Sequence, residues 1–144
     1  MYTLDANVFN RNADHRDPAY AVCHTLLERL QATQQRIVVP TLILAEIAGP
    51  ISRFYRDPVR ARLYADSVAA FPKLILRTVD EALARFAAEL AADYALRGMD
   101  AIYVAVARQY GCPLITLDDE IRRRASMIIT VQTPTEVLHT LPPP

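Results

Sequence analysis

The chain has 144 residues, 52% of them hydrophobic. That is enough for one domain to bury a core without disulfide or metal staples, and too apolar for a disordered tail. Sixteen Lys and Arg balance sixteen Asp and Glu, which excludes a protein that holds nucleic acid by bulk charge alone.

Residues 2–4 read as a short strand closed by Asp5. Residues 6–9 follow, then a polar stretch over 10–17. Asp17-Pro18 is a helix start, with Asp17 as N-cap and Pro at the first helical position. Val22, Leu26, Leu27 and Leu30 give that helix one apolar face. Residues 37–39 form the second strand. Pro40-Thr41 turns it into a helix over 42–48 with Thr41 as N-cap, which Gly49-Pro50 kinks or ends. Asp57-Pro58 repeats the helix start, and that helix runs to about Phe71-Pro72. Residues 74–76 are the third strand. Asp80 caps a helix with Leu83, Phe86, Ala87, Leu90 and Tyr94 at helical spacing.

Gly98 breaks that helix, and residues 99–110 run helical again to a left-handed cap at Gly111. Pro113 opens the apolar strand 114–117, closed by Asp118, which can start the next helix. Residues 127–131 are a last strand. Thr133-Pro134-Thr135-Glu136 is a capping box opening a terminal helix, and Pro142-Pro143-Pro144 is a tail. Strands alternate with helices throughout, which predicts an α/β fold with a parallel sheet covered on both faces. No internal repeat or domain boundary interrupts the alternation.

Cys23 and Cys112 fall in apolar segments and read as buried reduced thiols of a cytoplasmic protein. The N-terminus lacks the basic and apolar regions of a signal peptide, and no uncharged run is long enough to span a membrane. His15, His24 and His139 have no zinc spacing. There is no Gly-x-Ser-x-Gly elbow, and three glycines cannot supply a phosphate-binding loop or a dinucleotide fingerprint.

Three carboxylates stand alone in runs that should be buried. Asp5 is the sole charge between Met1 and Asn10, Glu46 between Ile37 and Ser52, and Asp100 between Gly98 and Ala107. Burying an unpaired carboxylate costs several kcal/mol. Asp5 and Asp118 close strands, and Glu46 and Asp100 lie early in helices, so all four can reach the carboxyl edge of the sheet, where such sheets bind ligands. Four like charges repel unless a cation sits among them. Oxygen ligands without His or Cys point to a hard cation, Mg²⁺ or Mn²⁺. Each acid also has a plainer reading: Asp100 as a helix-dipole acid, Asp118 as an N-cap, Asp5 as a turn cap with Asn7. Glu46, amid aliphatics inside a helix, has no capping role. Asn7 and Thr116 either orient Asp5 and Asp118, hold a metal water, or are ordinary turn and strand residues. Asp119 offers a second acid beside Asp118. Arg122, Arg123 and Arg124 are as readily a solvated helix face as a grip on phosphates.

With these residues in view, the chain resembles the PIN-domain family, and within it the VapC-type toxins of toxin–antitoxin pairs. The matching motifs are Leu4-Asp5-Ala6-Asn7, Ala45-Glu46-Ile47, Met99-Asp100-Ala101-Ile102-Tyr103-Val104-Ala105-Val106-Ala107, Leu114-Ile115-Thr116-Leu117-Asp118 and Thr133-Pro134. The resemblance covers essentially the whole chain. It implies a three-layer α/β/α sandwich and an Mg²⁺- or Mn²⁺-dependent ribonuclease. Asp5, Glu46, Asp100 and Asp118 match the family's acidic quartet. It also implies a homodimer, an RNA substrate and a small inhibitory antitoxin. Two rivals come from other classes. One is a PIN-like binding domain that has lost catalysis and acts through a protein partner. The other is a receiver-like phosphoacceptor, which wants an acidic pair after the first strand and a Lys after a late one. Here Asp5 stands alone and the single lysine, Lys73, precedes the third strand.

Overall fold

Short parallel strands and helices alternate along residues 1–142, which the computed structural model describes. Pro143 and Pro144 of the expected tail lie outside the described residues. The order is β1 (Thr3–Leu4), α1 (Ala6–Asn12), α2 (Tyr20–Ala32), β2 (Ile37–Pro40), α3 (Ile43–Tyr55), α4 (Pro58–Ala69), β3 (Leu74–Arg77), α5 (Glu81–Tyr94), α6 (Gly98–Tyr110), β4 (Leu114–Ile115), α7 (Asp119–Ala125), β5 (Val131–Gln132) and α8 (Pro134–Thr140).

Every ladder is parallel. β1 pairs β4 with Thr3 opposite Leu114 and Leu4 opposite Ile115, β4 pairs β5, and β2 pairs β3. A bridge from Tyr2 to Ile37 joins the two ladders, giving the order β3-β2-β1-β4-β5. The chain steps outward from β1 through β2 to β3, then crosses back and steps the other way through β4 and β5. The carboxyl ends of β1 and β4 therefore flank the point where the order reverses, the usual ligand crevice of an open α/β sheet.

The three inner strands are fully buried, and the edge strands β3 and β5 are half-buried, as expected when helices cover both faces. α6 lies on β1, β2 and β4 and packs against α5, while α1, α2, α3, α4 and α8 form a second connected group. This is the three-layer α/β/α sandwich with a central parallel sheet. Its core includes fully buried Leu4, Phe9, Leu26, Ile43, Ile47, Tyr103 and Ile115. Each aliphatic or Phe side chain so buried contributes about 1.5–3 kcal/mol. Among the described residues no helix is long and apolar enough to cross a membrane.

Several expected boundaries hold, each with a visible cap. Asp57 accepts from the N–H groups of Val59 and Arg60, Asp80 from Leu83, and Thr133 and Glu136 close a full capping box. Gly111 ends α6 at φ 59°. Cys23 and Cys112 are buried and free, and burial raises the Cys23 thiol to about 11.

Other boundaries move. Residues 6–12 form a helix that the polar reading of 10–17 cuts short: Asp5 caps it, and Val8 and Phe9 bury its inner face. α2 starts at Tyr20, not at Pro18: the Asp17 carbonyl accepts from the Tyr20 N–H at 2.9 Å, so residues 17–20 form a tight turn ahead of the helix, with the Asp17 carboxylate on the Ala19 N–H at 2.8 Å and on Arg11 at 2.6 Å. Thr41 does not cap α3; the helix begins after Leu42, which places Glu46 in its first turn. Nor does Gly49-Pro50 end that helix, which continues to Tyr55. The last strand is Val131–Gln132, because residues 127–129 turn and leave Met127 86% exposed.

Candidate active site

Each of the four candidate acids is delivered by a different junction. Asp5 follows β1 and caps α1. Asp118 follows β4 and caps α7. Glu46 and Asp100 stand in the first turns of α3 and α6. All four line one open cleft of about 630 Å³ beyond the carboxyl ends of β1 and β4, together with Asn7, Asn10, Arg53 and Arg97. Asp119 does not share it: its side chain is 91% exposed and pairs with Arg122 on α7. Of the two adjacent acids, Asp118 is the one in the cleft.

Asp5 and Glu46 are held by neutral donors. Thr116 Oγ1 donates to Asp5 Oδ2 at 2.6 Å, and Asn7 Nδ2 donates to the same oxygen at 2.6 Å. Thr116 Oγ1 also accepts from Asn7 Nδ2 and from the Asp118 N–H, each at 3.0 Å. Asn7 Oδ1 accepts from the Leu117 N–H. Asn7 and Thr116 thus fix Asp5 and tie the turn ahead of Asp118 to the end of β1. The Tyr103 hydroxyl donates to Glu46 Oε2 at 2.6 Å.

Asp100 and Asp118 are held by one cation. Arg97 Nε donates to Asp100 Oδ2 at 2.6 Å and Arg97 Nη2 to Asp118 Oδ2 at 2.5 Å. Asp118 Oδ1 is committed elsewhere, accepting from the N–H groups of Glu120 and Ile121.

The acids feel one another. Burial raises the Asp5 carboxyl above its ordinary range; bonds from Thr116 and Asn7 oppose this, and the charges of Asp100 and Asp118 add to it. Burial raises Glu46, with Tyr103 opposing and Asp5 and Asp100 adding. Burial also raises Asp100 in spite of Arg97. At Asp118 burial pushes upward, but bonds from Arg97 and the Ile121 and Glu120 N–H groups outweigh it and hold this carboxyl below its usual range. Burial and the Glu46 charge keep the Tyr103 hydroxyl firmly protonated, hence a permanent donor.

Tyr103, Arg97 and Asn10 escape a reading of motifs. Tyr103 and Arg97 each stand three residues from Asp100, a spacing that puts side chains on one helix face and could have flagged both. Asn10 carries no such signal. Arg122, Arg123 and Arg124 lie outside the cleft lining. Arg122 pairs with Asp119 and Glu136, and Arg124 with Glu120. Arg123 is exposed and makes no ion pair among the described residues.

The donor set suits a hard cation: carboxylate and amide oxygens line the cleft, with no His or Cys. Among the described residues no three acidic, His or Cys side chains are gathered as a ready metal cage. The cleft carries its neutralising charge as Arg97 instead.

Sequence comparison agrees with this architecture. The PIN domain family model matches residues 2–126, and the chain belongs to that family. In fold it is similar to VapC20 of Mycobacterium tuberculosis, a sarcin-ricin loop cleaving toxin, at TM-score 0.70 and 18% identity over 85% of this chain and 94% of that one. It is also similar to a chain of VapBC2 from Rickettsia felis bound to a DNA fragment from their promoter, at TM-score 0.69 and 16% identity over 92% and 97%. A third likeness is to PAE2754 from Pyrobaculum aerophilum, at TM-score 0.71 and 18% identity over 98% and 88%. No curated protein matches the chain in sequence.

Proposed function

We propose that the chain is one PIN-like nuclease domain over residues 1–144, an Mg²⁺- or Mn²⁺-dependent endoribonuclease, and the toxin of a toxin–antitoxin pair in the cytoplasm. The observation that carries the reading is the convergence of Asp5, Glu46, Asp100 and Asp118 on one cleft at the reversal point of the sheet, in a chain of the PIN family. The toxin role is supported by the fold neighbours, which include VapC20 and VapBC complexes.

Asp5, Glu46, Asp100 and Asp118 would hold the cation. The chemistry such an ion supplies is activation of a water and neutralisation of phosphate oxygens during phosphodiester hydrolysis. The chain's own part is orientation. Thr116 and Asn7 aim Asp5, Tyr103 aims Glu46, and the α7 N-terminus fixes one oxygen of Asp118 and leaves the other facing the cleft. Arg123, exposed and unpaired among the described residues, is better placed than Arg122 or Arg124 to meet RNA phosphates. An antitoxin and a second copy of this chain are the partners of this reading.

The test is RNA cleavage by the purified chain in Mg²⁺ or Mn²⁺ and in chelator. Cleavage with metal and none in chelator is the expected result. RNA left intact under both conditions would favour the catalytically inactive binding domain.

A further inference from the structure

We propose that Arg97 is the internal counter-cation of the acidic cleft, and that a divalent metal binding there competes with its guanidinium for Asp118 Oδ2. The inference rests on the metal-nuclease reading above.

Asp118 has two carboxylate oxygens, and Oδ1 already accepts from two backbone N–H groups that start α7. Oδ2 is the one left for a cation, and Arg97 holds it at 2.5 Å. The same guanidinium holds Asp100 Oδ2 at 2.6 Å. A metal that takes Asp118 Oδ2 therefore competes with Arg97 at that oxygen, whereas Asp100 keeps Oδ1, which accepts no hydrogen bond among the described residues. The other two acids present no such obstacle, because Asp5 and Glu46 are held by Asn7, Thr116 and Tyr103, none of which is charged.

Arg97 is built to let go. It occupies the N-cap position of α6 with an extended backbone (φ −65°, ψ 148°), and its side chain makes no capping bond to the helix. The side chain is 57% exposed, against 17% for Asp100 and 30% for Asp118. The side chain thus lines the cleft while remaining more exposed than the carboxylates it bridges, and its leaving uncovers no core residue. Arg53 lines the same cleft but forms no ion pair among the described residues, which makes it the natural control for charge without contact.

Competition lowers apparent affinity by the fraction of time the site is free. If Arg97 is engaged about nine-tenths of the time, removing it tightens metal binding about tenfold.

The experiment is calorimetric titration of Mg²⁺, and separately Mn²⁺, into the whole metal-free chain, with Arg97→Gln, Arg97→Lys and Arg53→Gln beside the parent. Arg97→Gln is expected to bind about tenfold tighter than the parent. Arg97→Lys, whose single ammonium cannot fork across two carboxylates, is expected to fall between them and serves alone if the glutamine variant does not fold. Arg53→Gln is expected to stay closer to the parent than either. If the Arg97 variants bind no tighter than Arg53→Gln, Arg97 is not a competitor and the proposal is overturned, with the metal reading intact. If parent and variants all fail to bind, the metal reading falls and takes this inference with it.

Discussion

Asn10 Nδ2 donates to the backbone carbonyl of Glu46 at 3.1 Å, and Glu46 is the residue four before Pro50. In an unbroken helix the N–H of residue 50 would reach that carbonyl; proline has none. The side chain of α1 therefore completes the helix that carries Glu46 and ties the two elements together beside the cleft.

Removing that donor has a measurable cost. Asn10→Ala should destabilise the chain toward the low end of ~1–3 kcal/mol, since Asn10 Oδ1 is itself buried without a partner. Pro50→Ala restores a helical N–H, so the same Asn10→Ala change should cost less in that background. Denaturant unfolding of the four proteins should give a coupling of at least ~0.5 kcal/mol. Strictly additive losses would mean that Asn10 does not stand in for the missing amide.

Tyr103→Phe removes a buried donor from a carboxylate without changing shape. Bonds to charged groups contribute about 1.5–3 kcal/mol, and Glu46 is only half-buried, so a loss of about 1–2 kcal/mol is expected. The Glu46 carboxyl, already raised, should titrate at still higher pH once the lowering bond is gone. Carboxyl NMR across a pH series checks it; a Glu46 titration that stays put or moves down would contradict the assigned role.

The three raised acids set a pH dependence of definite sign. Asp5, Glu46 and Asp100 bind protons more readily folded than unfolded. Between the unfolded values, 3.8 for Asp and 4.5 for Glu, and the raised folded ones, the native state holds more protons, so stability falls as pH rises through that window. Asp14, Asp80, Asp118 and Glu136 are lowered, and their contribution is lost only as pH falls below the unfolded values. In chelator the melting temperature should therefore rise as pH is brought from neutral down into the raised window, before acid denaturation begins. Saturating Mg²⁺ should flatten that rise, because metal binding requires the ligands deprotonated. A melting temperature that falls steadily from neutral pH in chelator would refute the assignment.

Dimer formation has a surface to act on. Phe54, Val59 and Leu63, at the α3–α4 junction and on α4, are each more than half exposed, and their burial against a second copy would be favourable. Sedimentation at micromolar concentration should show a dimer for the parent and a monomer for Leu63→Glu. A parent that is monomeric throughout would remove the homodimer from the account.

How far the residues alone reveal this arrangement depends on where each cause lies. Asp57, Asp80, Thr133 and Gly111 act within a few residues of their own helix ends, so those boundaries are legible. The ends of α3 and α5 are not: Arg56 and Ala95 take left-handed conformations at φ 52°, where glycine would have been the signal. The continuation of α3 through Pro50 depends on Asn10, forty residues earlier in sequence and visible only once α1 and α3 touch. Asp5, Glu46 and Asp100 stand out because a lone charge in an apolar run is anomalous, and Asp118 because it closes an apolar strand. Arg97 carries only its three-residue spacing from Asp100 as a signal, since an arginine just outside such a run otherwise looks like ordinary surface. Its reach to Asp118 is a tertiary fact.

The measurement closest to the central claim, that the four carboxylates form one cation site, is the thermal shift produced by Mg²⁺ in the parent and in Asp100→Asn. Like-charge repulsion alone would make the metal-free variant the more stable protein. Arg97 changes that expectation: the variant sheds repulsion and the burial cost of a charge, but also loses an ion pair to a largely exposed partner. The metal-free difference should stay within about 1 kcal/mol. The parent should then gain stability with added Mg²⁺ as mass action requires, and the variant should gain little or nothing at the same concentrations. An Asp100→Asn protein that gains the parent's full shift would show that Asp100 holds no part of the cation, and the single-site account would fail there.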